Sequence, residues 1–552
     1  MSAFEHPRYS YVAPDDLLRG RGHVPVAIVG AGPIGLCAAI DLTLRGVRVA
    51  VLDDDDTVSI GSRAICWAKR TLEIFDRLGV AEPMIAKGVT WETGKVFLDD
   101  TELYRFDLAD EGRQKHPAFI NLQQYYAEAC LVERARELGI DLRWKNRVVG
   151  VTPAADTVTL EVDTPDGRYM LDADYVIAAD GARSFVRDAL GLDFEGKVFE
   201  DHFLIADVKM NAGFPPQRWF WFDPPFNRDQ SALLHMQADD IWRIDLQIGW
   251  DTDAEEERKP EKVIPRIKRM LGEDTAFELV WTSVYTFQCR RLARFRHGRV
   301  FFAGDSAHQV SPFGARGANS GIQDTDNLAW KLALVLDGAA PDRLLDSYDD
   351  ERGAAADENI LNSTRSTDFI TPKSAASRAF RDGALRLARD WPFARALVNS
   401  GRLSRPTTYA ASPLNGPGGD LVGAPCPNAP GAFVADGAET SGWLLDRLGG
   451  GFVGLYFADA GEVPDGLAEL AEETVPVHCL IVSPTPPVGD FIGIRDADGH
   501  IANLFGAQTG EFVLIRPDQH VAARWPRFDD GAARAAVRDA RAARESEPAG
   551  SP

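Results

Sequence analysis

Short apolar runs, each closed at once by a glycine turn, set the rhythm of the first three hundred residues. Val26–Val29 runs into Gly30, Tyr175–Ala179 into Asp180-Gly181, and Val300–Ala303 into Gly304-Asp305. Runs of this length bounded by turn residues read as buried strands of a parallel sheet. After the first run a helix extends to Arg45, and Gly46 leads into a second strand, Arg48–Leu52, ended by Asp53. Between the second and third runs the period changes. Trp242, Ile244, Leu246, Ile248 and Trp250 alternate with Arg243, Asp245 and Gln247, the pattern of a strand with two unlike faces. With the aromatic run Trp219–Phe222 and the segment from Ala232, it predicts an antiparallel sheet lying across the parallel one.

Beyond Phe302 the pattern predicts a glycine-rich loop and a long amphipathic helix from Ser320 to Leu336, then further helices through Asp342–Arg352. The Gly/Pro-rich stretch Pro406–Pro430 reads as a linker, and the runs 451–457, 478–482 and 512–515 predict a third α/β unit. The expected division is an N-terminal extension (1–23), a Rossmann-like α/β domain in two parts (24–195 and 291–405, the second with its helices), an inserted antiparallel-sheet domain (196–290), a linker (406–432), a C-terminal α/β domain (433–544) and a disordered tail (545–552).

The turns carry the chemistry. In G-A-G-P-I-G, Gly30 permits a tight turn, Gly32 lets a pyrophosphate approach the backbone, and Gly35 lets the helix, which takes in Pro33, pack on its strand. Asp53, at the end of the second strand, is placed for a ribose hydroxyl; a 2′-phosphate there would meet the like charges of Asp53–Asp56, which argues against NADP in this turn. Asp305 can accept from a ribityl or ribose hydroxyl. Gly314, Gly317 and Gly321 let backbone approach a planar ring, while the following helix points its positive end at any anion forming on that ring, such as a reduced flavin.

These three segments, in this order, resemble the single-component flavoprotein monooxygenases that hydroxylate aromatic rings, of the 3-(3-hydroxyphenyl)propionate and phenol hydroxylase type. The resemblance covers most of residues 24–350. It implies a p-hydroxybenzoate-hydroxylase-like fold with bound FAD, NADH or NADPH as transient co-substrate, and oxygen transfer from O2 through a flavin C4a-hydroperoxide to a small aromatic substrate. By the same resemblance Gly30, Gly32, Pro33, Gly35, Asp53, Gly304 and Asp305 bind the dinucleotide, and Arg63 lies beside the flavin. Gln123, preferred over Gln124, contacts the cofactor at a helix start. Asp180, Gly181, Arg183 and Arg187 sit where FAD and nicotinamide meet. Pro312 lies near the reactive face, and Gly317, Ala318 and Asn319 lie under the pyrimidine edge. His308 reads as a hydrogen-bonded loop residue. His235, Gln237 and Arg243 are the polar substrate-contact candidates, and no catalytic base is identified. The segment Leu514–Trp525 resembles the ending of the thioredoxin-like domain of the larger members; lacking C-x-x-C, it implies a structural or dimer-supporting role.

Charge and composition narrow the partners. The chain has 552 residues with 60 Lys and Arg against 83 Asp and Glu, a net charge of −23 that repels nucleic acid and anionic membrane. No run approaches the roughly 18–20 apolar residues of a bilayer span, and the first residues lack a signal-peptide core, so a cytoplasmic protein is expected. Six scattered cysteines without metal or redox spacing suit reduced thiols and no metal site. Alternative readings keep the fold but change the chemistry, to Baeyer–Villiger insertion, epoxidation or polyketide tailoring, or make the protein a non-oxygenating FAD reductase or binder.

Overall fold

The computed structural model describes residues 4–108, 114–211, 213–398, 403–435, 438–460, 463–485 and 491–542. The expected tail, 545–552, lies outside them.

The opening strand, Arg21–Val29, is central to an eight-stranded sheet and pairs in parallel on both sides, Val26 opposite Val49 and opposite Tyr175. Val176 in turn pairs in parallel with Val300. The three apolar runs therefore lie side by side, and their glycine turns emerge together at one sheet edge. These strands are apolar on both faces because helices cover both: Val26, Ala27, Ile28, Ala50, Val176, Phe301 and Phe302 are fully buried. The helix Pro33–Leu44 packs against the long helix Gly317–Leu336. That long helix begins three residues earlier than the pattern predicts, because Arg316 already has helical backbone and its carbonyl accepts from Ser320 N at 2.8 Å.

A second eight-stranded sheet crosses the first. Its centre is Phe194–Lys209, which pairs antiparallel with both Ile241–Ile248 and Glu278–Leu292. The alternation at 242–250 has its predicted meaning through Ile248. Trp242, Ile244, Leu246 and Ile248 pack outward with Val263 and Ile267 of helix Pro260–Leu271, while Arg243, Asp245 and Gln247 take the opposite face. The sheet also recruits the hairpin Thr93–Leu98 and Thr101–Asp107, with Thr93–Leu98 parallel to Arg218–Phe222. Those edge strands come from a hundred residues upstream of the rest of the sheet.

The C-terminal unit is a mixed seven-stranded sheet in which Phe452–Phe457, Val477–Ser483 and Ile492–Arg495 run parallel, backed by helix Asp530–Ala540. A buried ionic network joins it to the first unit. Arg516 donates to Glu351 Oε2 at 2.9 Å and to Asp518 Oδ2 at 2.5 Å, and Lys331 donates to the same Glu351 at 2.7 Å. Arg70 bridges Asp326 Oδ2 and the Asp518 carbonyl at 3.0 and 2.9 Å. Lys331, Glu351, Arg516 and Asp518 are fully buried, so each charge depends on its partners. Burial lowers the Lys331 ammonium to about 8 even with Glu351 beside it. Among the described residues no helix is long and apolar enough to cross a membrane.

Candidate active site

The three glycine turns line one groove. Gly30 has φ +105°, and a Cβ there would meet the Ala179 carbonyl oxygen at 2.6 Å; one on Gly35 would meet the Gly30 carbonyl oxygen at 2.0 Å. These two glycines are required by the protein's own packing. Gly32 differs: a Cβ there meets nothing within 4 Å, and this residue precedes the first turn of helix Pro33–Leu44 with its backbone facing open space. A close-packed strand and helix beneath one open glycine are what a pyrophosphate cradle needs.

Asp53 is half-buried where the second strand ends, and its carboxylate accepts from Ala31 N at 2.5 Å and Asp55 N at 2.9 Å. Burial raises its pKa against those two hydrogen bonds. Asp180 accepts from Val186 N at 3.0 Å through Oδ2, while its Oδ1 is buried without a partner. Burial raises this carboxyl too. Gly181 follows with φ +76°. Arg183 is exposed; Arg187, for which an exposed helical position is the ordinary expectation, is instead buried with its guanidinium over the Phe194 ring at 4.3 Å.

Asp305 faces solvent at the floor of the groove, yet the surrounding walls desolvate its carboxyl enough to raise its pKa, with the Arg63 guanidinium among the groups opposing. A carboxylate in that position is accessible to a ligand but poorly hydrated. Gly304 is fixed by a residue the sequence pattern does not reveal: Asp324, fully buried on the long helix, accepts from Gly304 N at 2.9 Å, His308 Nε2 at 2.7 Å and Arg352 Nε at 2.6 Å. His308 is hydrogen-bonded as expected, but on the short strand His308–Gln309 paired with Arg290 and Arg291 rather than in a loop. Asp324 stands in the sequence among Gln323, Thr325, Asp326 and Asn327, so nothing local marks it as the buried acid, and burying it demands the several donors it finds.

The loop 311–316 leads into the helix. Pro312 is exposed, and Phe313 behind it packs on Phe203 and Phe287 of the crossing sheet. Gly317 and Ala318 lie in the helix's first turn, where backbone N–H groups have no helical acceptor. Asn319 fastens that turn to the neighbouring segment, accepting from Ala68 N at 2.9 Å and donating to the Cys66 carbonyl at 2.8 Å.

Arg63 is exposed on the turn 61–64, within reach of both Asp305 and Tyr285 of the sheet. The two glutamines diverge. Gln123 is fully buried and donates to the Ala238 carbonyl at 2.9 Å, whereas Gln124 accepts from Ala64 N at 3.1 Å and donates to Glu128 at 2.8 Å. Gln124, not the favoured Gln123, is therefore the glutamine that touches the Arg63 turn. Helix position decides this: Gln123 is the cap residue, and the next residue along turns onto the Ser62 side. Glu128 holds the same turn from below through Ser59 N at 2.6 Å.

Above the groove, the inward sheet face carries the polar substrate-contact candidates. Gln237 and Arg243 both bond Asp207, at 2.9 Å and through two bonds of 2.8 Å, and Arg243 also donates to the Ser62 carbonyl at 2.6 Å. Arg243 is thereby paired, and it positions the Arg63 turn. His235, directly opposite Arg243 in register, is buried with Nε2 unpartnered; burial and the cations of Arg218 and Arg243 push its pKa well down, so the ring is neutral.

The groove and its glycines match, over residues 23–363, the family model described as FAD binding domain. The chain belongs to this FAD-dependent family. The chain is also similar to a 6-methylpretetramide 4-monooxygenase of Streptomyces rimosus, 33% identical over 91% of both proteins. A 3-(3-hydroxy-phenyl)propionate/3-hydroxycinnamic acid hydroxylase of Mycolicibacterium smegmatis is 27% identical over 91% of this chain and 90% of its own. Among solved structures, the flavin-dependent monooxygenase PieE shares the fold with a TM-score of 0.80 at 24% identity, covering 96% of this chain and all of that one. The fold shared with that structure thus extends through the C-terminal unit, well beyond residues 23–363.

Proposed function

We propose that the enzyme uses NADH or NADPH and O2 to hydroxylate a phenolic or hydroxyaryl-acid ring. The observation that carries this reading is the placement of a groove fit for FAD directly beneath a sheet face bearing buried, incompletely paired polar groups. FAD, when bound, supplies electron transfer from the nicotinamide and activation of O2.

The chain's own residues hold, orient and keep dry. Gly30, Gly32, Pro33 and Gly35 form the pyrophosphate turn, Asp53 takes the adenosine ribose, and Asp305 takes a ribityl hydroxyl. Arg63 and Gln124 flank the ring, Asp180 and Gly181 form the nicotinamide-side wall, and the first-turn N–H groups at Gly317 and Ala318 stabilise negative charge at the pyrimidine edge. The apolar wall of Phe203, Phe220, Phe287 and Phe313 excludes water from the space above. The C-terminal unit, thioredoxin-like in its parallel core and antiparallel edge, serves a structural role.

A polycyclic phenol of the polyketide-tailoring kind is the second substrate reading, favoured by the similarity to the 6-methylpretetramide 4-monooxygenase. Both are tested on the yellow protein by following NADH and NADPH oxidation across simple phenols, hydroxyaryl acids and polycyclic phenols under 18O2. The expected result is substrate-stimulated oxidation with one labelled oxygen in the product. Turnover that persists without O2, or product free of label, would refute it; product mass and NMR separate ring hydroxylation from ring expansion.

A further inference from the structure

Arg218 is the anomaly of the sheet face. It opens the strand Arg218–Phe222 and is only 9% exposed, yet no carboxylate oxygen lies within 4.0 Å of it among the described residues. Its contacts are Cys66 Sγ at 3.6 Å and the Trp91 ring at 6.0 Å. Four other buried arginines each have a carboxylate partner: Arg70 with Asp326 at 3.0 Å, Arg243 with Asp207 at 2.8 Å, Arg352 with Asp324 at 2.6 Å and Arg516 with Asp518 at 2.5 Å. A guanidinium cannot shed its charge, so leaving one buried and unpaired is costly.

Two neighbours also have unused capacity. His235 is 3% exposed, with Nδ1 at 4.0 Å from the same Cys66 sulfur and Nε2 unpartnered. Asp245, within electrostatic reach of Arg218 and Arg243, keeps Oδ1 unpartnered, and burial raises its pKa to about 6. Asp245 makes no ion pair with Arg218 within 4.0 Å, and Arg243 is already paired with Asp207. Around Cys66, the Arg218 guanidinium is left without a direct carboxylate partner among the described residues, with the His235 imidazole beside it.

The cluster adjoins the groove. The Cys66 carbonyl is held by Asn319 in the first turn of the long helix, and Arg243 holds the Ser62 carbonyl next to Arg63. We propose that Arg218 is the specificity residue of this enzyme: it receives an anionic oxygen of the aromatic substrate, a carboxylate or an acidic phenol, with His235 Nε2 as the second contact. The assignment rests on the monooxygenase reading only in placing the sheet over the flavin. It narrows the substrate to aromatics carrying an acidic oxygen, and it predicts discrimination against neutral analogues, because a site built around a charge rejects what cannot pair with it.

The test is titration of the FAD-loaded enzyme, followed by the visible spectrum of the flavin. The probes are 3-(3-hydroxyphenyl)propionate and its primary amide, and 2,4,6-trihydroxyacetophenone and its tri-O-methyl ether. One acidic probe is expected to bind about 10- to 100-fold more tightly than its neutral partner, and which one identifies the source of the anionic oxygen. Arg218→Met should erase that preference with FAD content unchanged, and Arg218→Lys should restore part of it. Equal binding of acid and neutral partner in both pairs, no binding of any probe, or an unaltered preference in Arg218→Met would each overturn the proposal. The wild-type comparison stands even if the methionine variant fails to fold. Hydroxylated product is measured in parallel. Hydroxylation that ignores Arg218 removes the anchor but keeps the monooxygenase, whereas Arg218-dependent binding without oxygenated product does the reverse.

Discussion

The groove and the sheet face above it are built from opposite materials. The groove is mostly backbone: three glycine turns at one sheet edge, with carboxylates of Asp53 and Asp305 that solvent reaches. The sheet face is mostly side chain, with Arg218, His235 and Arg243 buried, Asp245 half-buried and desolvated, and Arg243 the one held by a bidentate carboxylate. Backbone recognition suits a cofactor common to a whole family, because main-chain groups stay in place while side chains vary. Side-chain recognition suits the part that must differ from one enzyme to the next.

The sharpest way to break this contrast is within the glycine turn itself. Gly35→Val should abolish folding, since its Cβ would start 2.0 Å from a carbonyl oxygen, whereas Gly32→Val should give soluble, colourless protein that folds but holds no FAD. Circular dichroism and flavin absorbance read both; yellow Gly32→Val protein would remove the pyrophosphate from that turn. Next in size, Arg516→Met should lower stability by about 3–5 kcal/mol in denaturant melts, because Glu351 and Asp518 lose a shared buried partner. A loss below about 1 kcal/mol would mean that the network is hydrated in solution.

Asp245 gives a pH-dependent test of the sheet face. Its pKa is raised from 3.8 to about 6, mainly by burial and against the pull of Arg243 and Arg218, with Asp207 adding a like charge. The folded state therefore binds that proton more tightly than the unfolded chain does. The ionised carboxyl costs stability above pH 6 and nothing below about pH 4. Asp245→Asn should thus stabilise at pH 8 by up to about 3 kcal/mol and leave stability at pH 4 unchanged. An equal effect at both pH values would show that the carboxyl is not desolvated. The smallest effect belongs to Asp305→Ala, expected to weaken FAD by about 1–3 kcal/mol in flavin-release titrations, the worth of one hydrogen bond to a charged acceptor. Unchanged affinity would tell against a ribityl contact.

The same contrast explains what was legible in the chain. Gly30, Asp53, Asp180 and Asp305 each follow their own strand by one to three residues, so local pattern alone finds them. Arg218, Cys66 and Asp245 meet across strands far apart in sequence, and nothing near Arg218 in the chain shows that its charge goes unpaired. Gln123 and Gln124 face different parts of the protein across a single helical step, finer than a cap position is visible in sequence. The hairpin 93–107 joined a sheet whose other strands begin at 194, a long-range pairing that alternation cannot announce.

The buried network between Arg516, Glu351, Lys331 and Asp518 also bears on how such enzymes can be recombined. Its acids and bases are drawn from both sides of the junction, so the C-terminal unit is not a portable module. A chimera that takes residues 433–542 from a relative without the matching partners at 331 and 351 would leave charges stranded in its seam. Such a junction tolerates exchange only when both halves of the lock travel together.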